Sequence, residues 1–142
     1  MKSNMKAKRS IGIGDKVILR VRVSEKDVHY AGGLVNGAWV LGLFGDVATE
    51  ITIRYDGDEG LLRAYTSVDL LAPIHAGDFI EATGKITEVG NTSRTIELKA
   101  RRVIASANIP EQPSAADTLD NPVVVAKATM IDVVPKDLQR CE

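Results

Sequence analysis

The 142-residue sequence predicts an α+β fold in which an antiparallel five-stranded sheet wraps around one long central helix. Residues 29–50, HYAGGLVNGAWVLGLFGDVATE, contain a long apolar stretch with no visible polar face, which is typical of a buried helix. Segments on both sides of it alternate apolar and polar residues, as half-buried strands do. One strand before the helix and four after it can cover the helix only as a curled sheet.

The first strand and the helix occupy the first half of the chain. The strand is predicted at 17–23, where valine and leucine alternate with basic residues. The helix enters from the turn Ala31-Gly32-Gly33 and ends near Tyr55, because the turn sequence DGDEG follows at 56–60.

The second half contains the four remaining strands. One is predicted at 61–71, and the next two form a hairpin with Gly90-Asn91 as the turn. Residues 108–122 contain three prolines and are predicted to be a loop or a lid, because proline cannot continue a central strand. The last strand is predicted at 123–134.

These elements form one domain at 11–135, with flexible tails at 1–10 and 136–142, since the chain is short for two domains. The net charge of −1 gives no electrostatic reason to expect nucleic acid or a membrane as partner. The basic start lacks the apolar region of a signal peptide, which indicates a cytoplasmic protein. Two histidines and the terminal Cys141 cannot supply a usual metal site, so no metal is expected.

Three stretches carry a resemblance to a known family. They are HYAGGLVNGA with FGDVATE in the helix region, DGDEG at 56–60, and APIHAGDFIEATGKITEVGNTSR at 72–94. They resemble the small acyl-CoA ammonia lyases of the hotdog fold, and the resemblance extends over about residues 17–134.

The resemblance implies an activity, a cofactor requirement and an assembly. The expected reaction is the reversible removal of ammonia from L-3-aminobutyryl-CoA to give crotonyl-CoA, a step of lysine fermentation. β-Alanyl-CoA is the alternative substrate, because one methyl group in a pocket changes binding by only about 1–3 kcal/mol. Coenzyme A is part of the substrate, and no further cofactor is expected. A homodimer is implied as the smallest active unit, with assembly of dimers into a hexamer.

The reaction requires a group that stabilises the enolate oxygen formed when the α-proton leaves. Backbone N–H groups at the start of a helix suit this task, because they add the partial positive charge of the helix. The expected substrate-binding set is Gly32, Gly33, Leu34 and Asn36. The alternative, in which the glycines serve only to form the turn, stays open.

The reaction also requires a base and a partner for the substrate ammonium group. Asp46 and Glu50 lie one helical turn apart in otherwise apolar surroundings and are the catalytic candidates. The alternative for Glu50 is a surface pair with Arg54, four residues on.

His29 and Tyr30 precede the helix and are further catalytic candidates, either to carry a proton or to orient the amine. A capping or packing role is their alternative. His75 follows Pro73 in a turn and has a weaker claim. Arg94 is the candidate for binding the coenzyme A phosphates, because it follows a turn on a strand that also carries Lys99 and Arg101.

Two other functional classes remain open at this point. A hotdog acyl-CoA thioesterase has the same fold and needs one carboxylate and a water. A non-catalytic acyl-CoA-binding module needs no buried acids. An assay with crotonyl-CoA and ammonia separates them, because a lyase consumes the enoyl group whereas a thioesterase releases free thiol.

Overall fold

The structure, a computed structural model, describes residues 5–142 and consists of one long helix and a curled antiparallel sheet. The five-stranded sheet has the order β1-β5-β6-β7-β4, and β2 pairs with β3 in a separate two-stranded ribbon. The elements are β1 Val17–Arg22, β2 Val28–Tyr30, β3 Leu34–Val35, α1 Gly37–Asp56, β4 Leu61–Leu70, β5 Phe79–Val89, β6 Ser93–Ser106 and β7 Ala116–Val133. The predicted sheet around a single long helix is confirmed.

The helix packs on the concave face of the sheet, where the core lies. Its large apolar residues recur at three- and four-residue intervals, so they form one buried face made of Val40, Leu43, Phe44, Val47 and Ile51. They pack against inward side chains of three neighbouring strands, Ile86, Ile96 and Met130. Gly84 allows close approach, since a Cβ there would lie 2.8 Å from Val47 Cγ1.

The helix differs from its prediction in two ways. It begins at Gly37, and its N-cap is Asn36 in an extended conformation. It is also not buried all round, because Ala38, Gly42 and Asp46 lie on an exposed face. Small residues on that face hide the amphipathic period in the sequence. The prediction of a fully buried helix is therefore wrong for the single chain.

The inner face of edge strand β4 is also uncovered. Leu62, Val68 and Leu70 pair with buried inward residues of β7 and so share their face. Their exposed fractions are nevertheless 51%, 38% and 57%. We call this face, together with Ala38, Gly42 and Asp46 of the helix, the α1–β4 strip. An apolar strip of this kind is typical of a protein–protein contact.

The region predicted as a loop at 108–122 is largely part of a long hairpin. β6 extends to Ser106 and β7 begins at Ala116, so the prediction is wrong for residues 116–122. Pro122 lies within β7, beside a register shift in the β6–β7 pairing and before β4 begins to pair at Ala126. Its missing N–H is therefore tolerated.

Both predicted tails contact the end of the helix where they are described. The Arg9 guanidinium lies 3.9 Å from the centre of the Tyr55 ring. The Arg140 N–H donates to the Asp56 carbonyl at 2.8 Å, and Ala7 forms a bridge with Cys141. Several residues of both tails thus contact the helix end, and the flexibility of the tails stays a prediction. Residues 1–4 lie outside the described part. Within 5–142, no helix has the length and apolar character needed to cross a membrane.

Candidate functional site

The turn before the helix is held by backbone pairing on both sides. Gly32 and Gly33 have φ values of 77° and 75°, which other residues adopt only with strain. The following strand pairs with the loop before β5, where Val35 N–H donates to the Ile74 carbonyl at 3.0 Å. The Ala76 N–H donates to the Gly33 carbonyl at 2.9 Å. The glycines therefore have a clear structural role in this turn.

His29, Tyr30 and His75 come together around this turn. The His29 and Tyr30 rings meet edge to face, with centroids 4.9 Å apart, and both side chains are exposed. Leu34 pairs with Tyr30 on one side and forms a bridge with His75 on the other. The sequence gives His75 only a weak claim, because long-range pairing with Leu34 is what brings it to the helix start.

The free N–H groups of the helix start belong to Gly37 and Ala38. The first N–H groups of a helix have no partner within the helix. The Asn36 side chain makes no capping bond to them. The predicted oxyanion donors at Gly32, Gly33 and Leu34 lie before the helix. Gly37 and Ala38 thus lie three to six residues after these three predicted donors, and Asn36, the fourth member of the predicted set, is the N-cap.

An apolar groove of about 320 Å³ opens beside this helix start. Its walls include Leu34, Val40, Leu70, Pro73 and Ile74. A Cβ at Gly37 would meet the tip of the Leu70 side chain, so Leu70 packs directly beside the helix start. An apolar groove with free N–H groups at one end can hold an acyl or pantetheine chain and its carbonyl oxygen.

Asp46 and Glu50 do not reach this groove in the single chain. With a rise of about 1.5 Å per residue, they lie roughly 15 and 21 Å along the helix from Asn36. Asp46 is exposed on the α1–β4 strip. Glu50 accepts a hydrogen bond from Arg54 Nε at 2.9 Å, which is the surface pair considered as its alternative. Within one chain, neither acid is therefore close to the N–H groups of the helix start.

Arg94 does not have the surface position that was expected of a residue binding the coenzyme A phosphates. Its side chain is buried, with a residue exposure of 2%, and it donates two hydrogen bonds of 2.8 Å to Asp56. Its remaining nitrogen donates to the Gly90 and Ser93 carbonyls. Hydrogen bonding to Asp56 raises the pKa of Arg94. The guanidinium is buried, joins the helix end to β6 and uses four of its five N–H donors there. It is not at a surface groove where a phosphate could bind, so this prediction is wrong.

Arg101 is also engaged elsewhere. It and Arg20 donate to the carboxylate of Glu81 on the outer face of the sheet. Hydrogen bonds from Arg20 and then Arg101 lower the pKa of Glu81.

Asp132 is a buried acid that the sequence analysis missed. It is 2% exposed, and its Oδ1 has no hydrogen-bond partner among the described residues. Burial raises its pKa from 3.8 to about 6. A sequence signal existed, because Asp132 continues the inward series of Ala126, Ala128 and Met130, where an apolar residue is expected.

Tyr65 lies near this carboxylate. Its hydroxyl donates to the Leu41 carbonyl of the helix at 2.8 Å. Burial, followed by the charge of Asp132, raises the pKa of Tyr65 to about 12. Register shifts occur on both sides of Tyr65 in β4, and such bulges redirect side chains.

No group of three or more His, Cys, Asp or Glu within residues 5–142 is arranged to hold a metal ion.

The chain matches known proteins over nearly its whole length. The family model of the thioesterase superfamily matches residues 32–103. The 3-aminobutyryl-CoA ammonia lyase of Acetoanaerobium sticklandii is 54% identical over 125 residues, covering 88% of this chain and 98% of that protein. The solved structure of the β-alanyl-CoA:ammonia lyase from Clostridium propionicum matches with a TM-score of 0.86 and 38% identity, covering 91% of each chain.

A hexameric hotdog fold thioesterase of Campylobacter jejuni matches with a TM-score of 0.69 and 19% identity, covering 86% of this chain and 85% of that one. At this identity the match concerns the fold alone. The fold, the near full-length identity and the groove at the helix start together lead to one assignment: the chain belongs to the thioesterase superfamily and, within it, to the acyl-CoA ammonia lyases.

Proposed function

We propose that this protein is a carbon–nitrogen lyase that removes ammonia reversibly from L-3-aminobutyryl-CoA and gives crotonyl-CoA. The observation that carries the proposal is the 54% identity to a 3-aminobutyryl-CoA ammonia lyase over almost the full length of both chains. The likeness to the β-alanyl-CoA enzyme is weaker at 38%, which favours the four-carbon substrate.

The proposed reaction follows from the chemistry at the start of the helix. The thioester oxygen accepts hydrogen bonds from Gly37 and Ala38, and the helix adds its partial positive charge. A carboxylate removes the α-proton, and the electron pair moves onto the thioester oxygen. It then returns to form the Cα=Cβ bond as the C–N bond breaks, and the nitrogen leaves as ammonia. His29 and Tyr30 orient the amine or carry the released proton.

The carboxylates come from a second copy of the chain. Asp46 lies on the α1–β4 strip, and Glu50 is one turn further along the same helix. Two such strips that pack with their helices antiparallel place the acids of one chain near the helix start of the other. The exposed apolar residues of β4 support this homodimer. Dimers then assemble into a hexamer, the state described for the hotdog thioesterase of Campylobacter jejuni.

The test uses the addition direction, with crotonyl-CoA and ammonium as substrates. We expect the enoyl absorbance to fall only when ammonium is present, with no release of free thiol. Acryloyl-CoA in place of crotonyl-CoA measures the preference between the two acyl groups. Thiol release without enoyl consumption would assign a thioesterase instead, and binding without either change would assign a binding module.

A further inference from the structure

Asp132 is distinguished from the other buried carboxylates by having no partner. Within residues 5–142, Asp56 and Glu81 are bound by arginines, and Asp78 accepts a 2.9 Å hydrogen bond from the His75 N–H. Asp132 makes no side-chain hydrogen bond among these residues, and its Oδ1 is fully enclosed. Buried carboxylates without a partner are rare in folded proteins, because desolvation of the charge is not offset.

The cation opposite Asp132 in the sheet is bound to other groups. Arg94 lies directly opposite it in the β6–β7 pairing. However, two nitrogens of Arg94 are bound to Asp56 and the third to two carbonyls. The hydroxyl of Tyr65, the other titratable neighbour, donates its hydrogen bond to the Leu41 carbonyl. Neither residue donates a hydrogen bond to Asp132, so no described group of the chain is bound to the carboxylate as a counter-charge.

Asp132 nevertheless borders an open surface. Its partner on β4 is Leu62, which belongs to the α1–β4 strip and is 51% exposed. Gly45, one turn after Leu41 on the helix, leaves open space, since a Cβ there would meet nothing within 4 Å. A cationic group that enters between the helix and β4 can reach the carboxylate. The surroundings are otherwise apolar, so a charged hydrogen bond formed there is strong.

We propose that Asp132 is a substrate-contacting residue whose carboxylate binds the ammonium group of the aminoacyl thioester. The inference rests on the proposed lyase function and refines it. The ammonium supplies the missing counter-charge, and Tyr65 defines the edge of its site. One helix carboxylate is then free to act on the α-proton. Apolar acyl groups gain nothing from Asp132, so this residue selects aminoacyl over simple acyl thioesters.

The site is shared between two chains. Asp132 is six residues from Ala126, which pairs with Leu70 beside the groove. At about 3.3 Å per residue this separation is roughly 20 Å. Only two carbons separate the amine from the thioester carbonyl in the substrate. The helix start that holds the oxygen therefore belongs to one chain, and Asp132 belongs to the other.

The test compares the dissociation constants of 3-aminobutyryl-CoA and butyryl-CoA for three proteins. These are the wild type, Asp132→Asn, and the control Asp117→Asn, whose carboxyl is exposed on the same strand. We expect the wild type and the control to prefer the amino compound by at least about tenfold. Asp132→Asn should lose this preference while its affinity for butyryl-CoA stays within about twofold. Asp132→Val, which removes the charge at similar volume, repeats the measurement if the amide variant does not fold.

Three outcomes would overturn the inference: no amine preference in the wild type, a preference retained in the variant, or equal weakening of both ligands. The proposed function is judged separately by the addition assay with wild-type protein. Loss of the amine preference in an inactive protein would support Asp132 as an ammonium site and reject the lyase. Lyase activity of the wild type, together with an unchanged amine preference in Asp132→Asn, would support the lyase and reject Asp132 as the ammonium site.

Discussion

At the scale of single residues, a buried charge destabilises the fold unless an opposite charge binds it. Arg94 and Asp56 are both buried and bind each other through two hydrogen bonds, so each charge is compensated. Asp132 is buried beside them without such a bond. A group that destabilises the fold is a candidate for function, because proteins retain such costs at functional sites.

The raised pKa of Asp132 predicts a specific pH dependence of stability. Its folded pKa of about 6 exceeds the ordinary 3.8, so the native state binds this proton more tightly than the unfolded state. The destabilisation caused by this group therefore becomes smaller as pH falls from about 6 towards 4. Above pH 6 the charge costs up to about 3 kcal/mol. Asp132→Asn should unfold at higher urea concentration than wild type at pH 8, and this gain should shrink towards pH 4. An equal difference at both pH values would contradict this account.

Removing the partner of Arg94 should have a larger effect of opposite sign. Asp56→Asn leaves a buried guanidinium without its counter-charge, which typically costs about 3–5 kcal/mol. Urea unfolding measures the loss. The matched control is Glu50→Gln, which breaks the half-exposed pair with Arg54 and should change stability by at most about 0.5 kcal/mol. Equal losses of unfolding free energy in Asp56→Asn and Glu50→Gln would show that burial does not make the Arg94–Asp56 pair more important for stability than the Arg54–Glu50 pair.

At the scale of elements, local patterns predicted the strands and the helix but not their environment. Alternation in β1 and the apolar run of α1 depend on neighbouring residues, so the sequence reveals them. The role of Arg94 depends on which helix residue lies across from β6, and no local pattern contains that information. Pro122 is compatible with the strand at 116–122 because β4 stops pairing at Ala126, and no local pattern reveals where that pairing stops. His75 reaches the helix start only through long-range pairing with Leu34.

The two acids of α1 give the kinetic prediction at this scale. Asp46→Asn and Glu50→Gln keep the shape of each side chain and remove its charge. If the acids of the second chain act on the substrate, either change should lower kcat by about 10²–10⁴. The melting temperature, measured in parallel, should stay near the wild-type value. Near-wild-type turnover in both variants would remove the acids from the mechanism and leave His29 and Tyr30 as the candidates.

At the scale of the whole molecule, the single chain is incomplete. The inner face of β4 and one face of α1 are exposed although they carry apolar or small residues. The groove at the helix start and the acids of the same helix are too far apart to act on one small acyl group. In the proposed homodimer, a second copy covers the α1–β4 strip and brings its acids to the helix start.

Assembly is tested by size-exclusion chromatography with light scattering. The wild type should have a mass that is an even multiple of 15.3 kDa, and a monomer should not be active. Leu70→Glu places a charge on the α1–β4 strip and should shift the protein towards the monomer with loss of turnover. Lys99→Glu, on the outer face of the sheet, is the matched control and should leave the mass unchanged. A stable, active monomer would contradict the shared site.

The most direct test of the central claim is the elimination reaction itself. Purified protein is mixed with L-3-aminobutyryl-CoA, and enoyl absorbance, ammonia and free thiol are measured in the same sample. We predict that crotonyl-CoA and ammonia appear in equal amounts and that no free thiol is formed. Release of free coenzyme A in place of ammonia would contradict the account and identify the protein as a thioesterase.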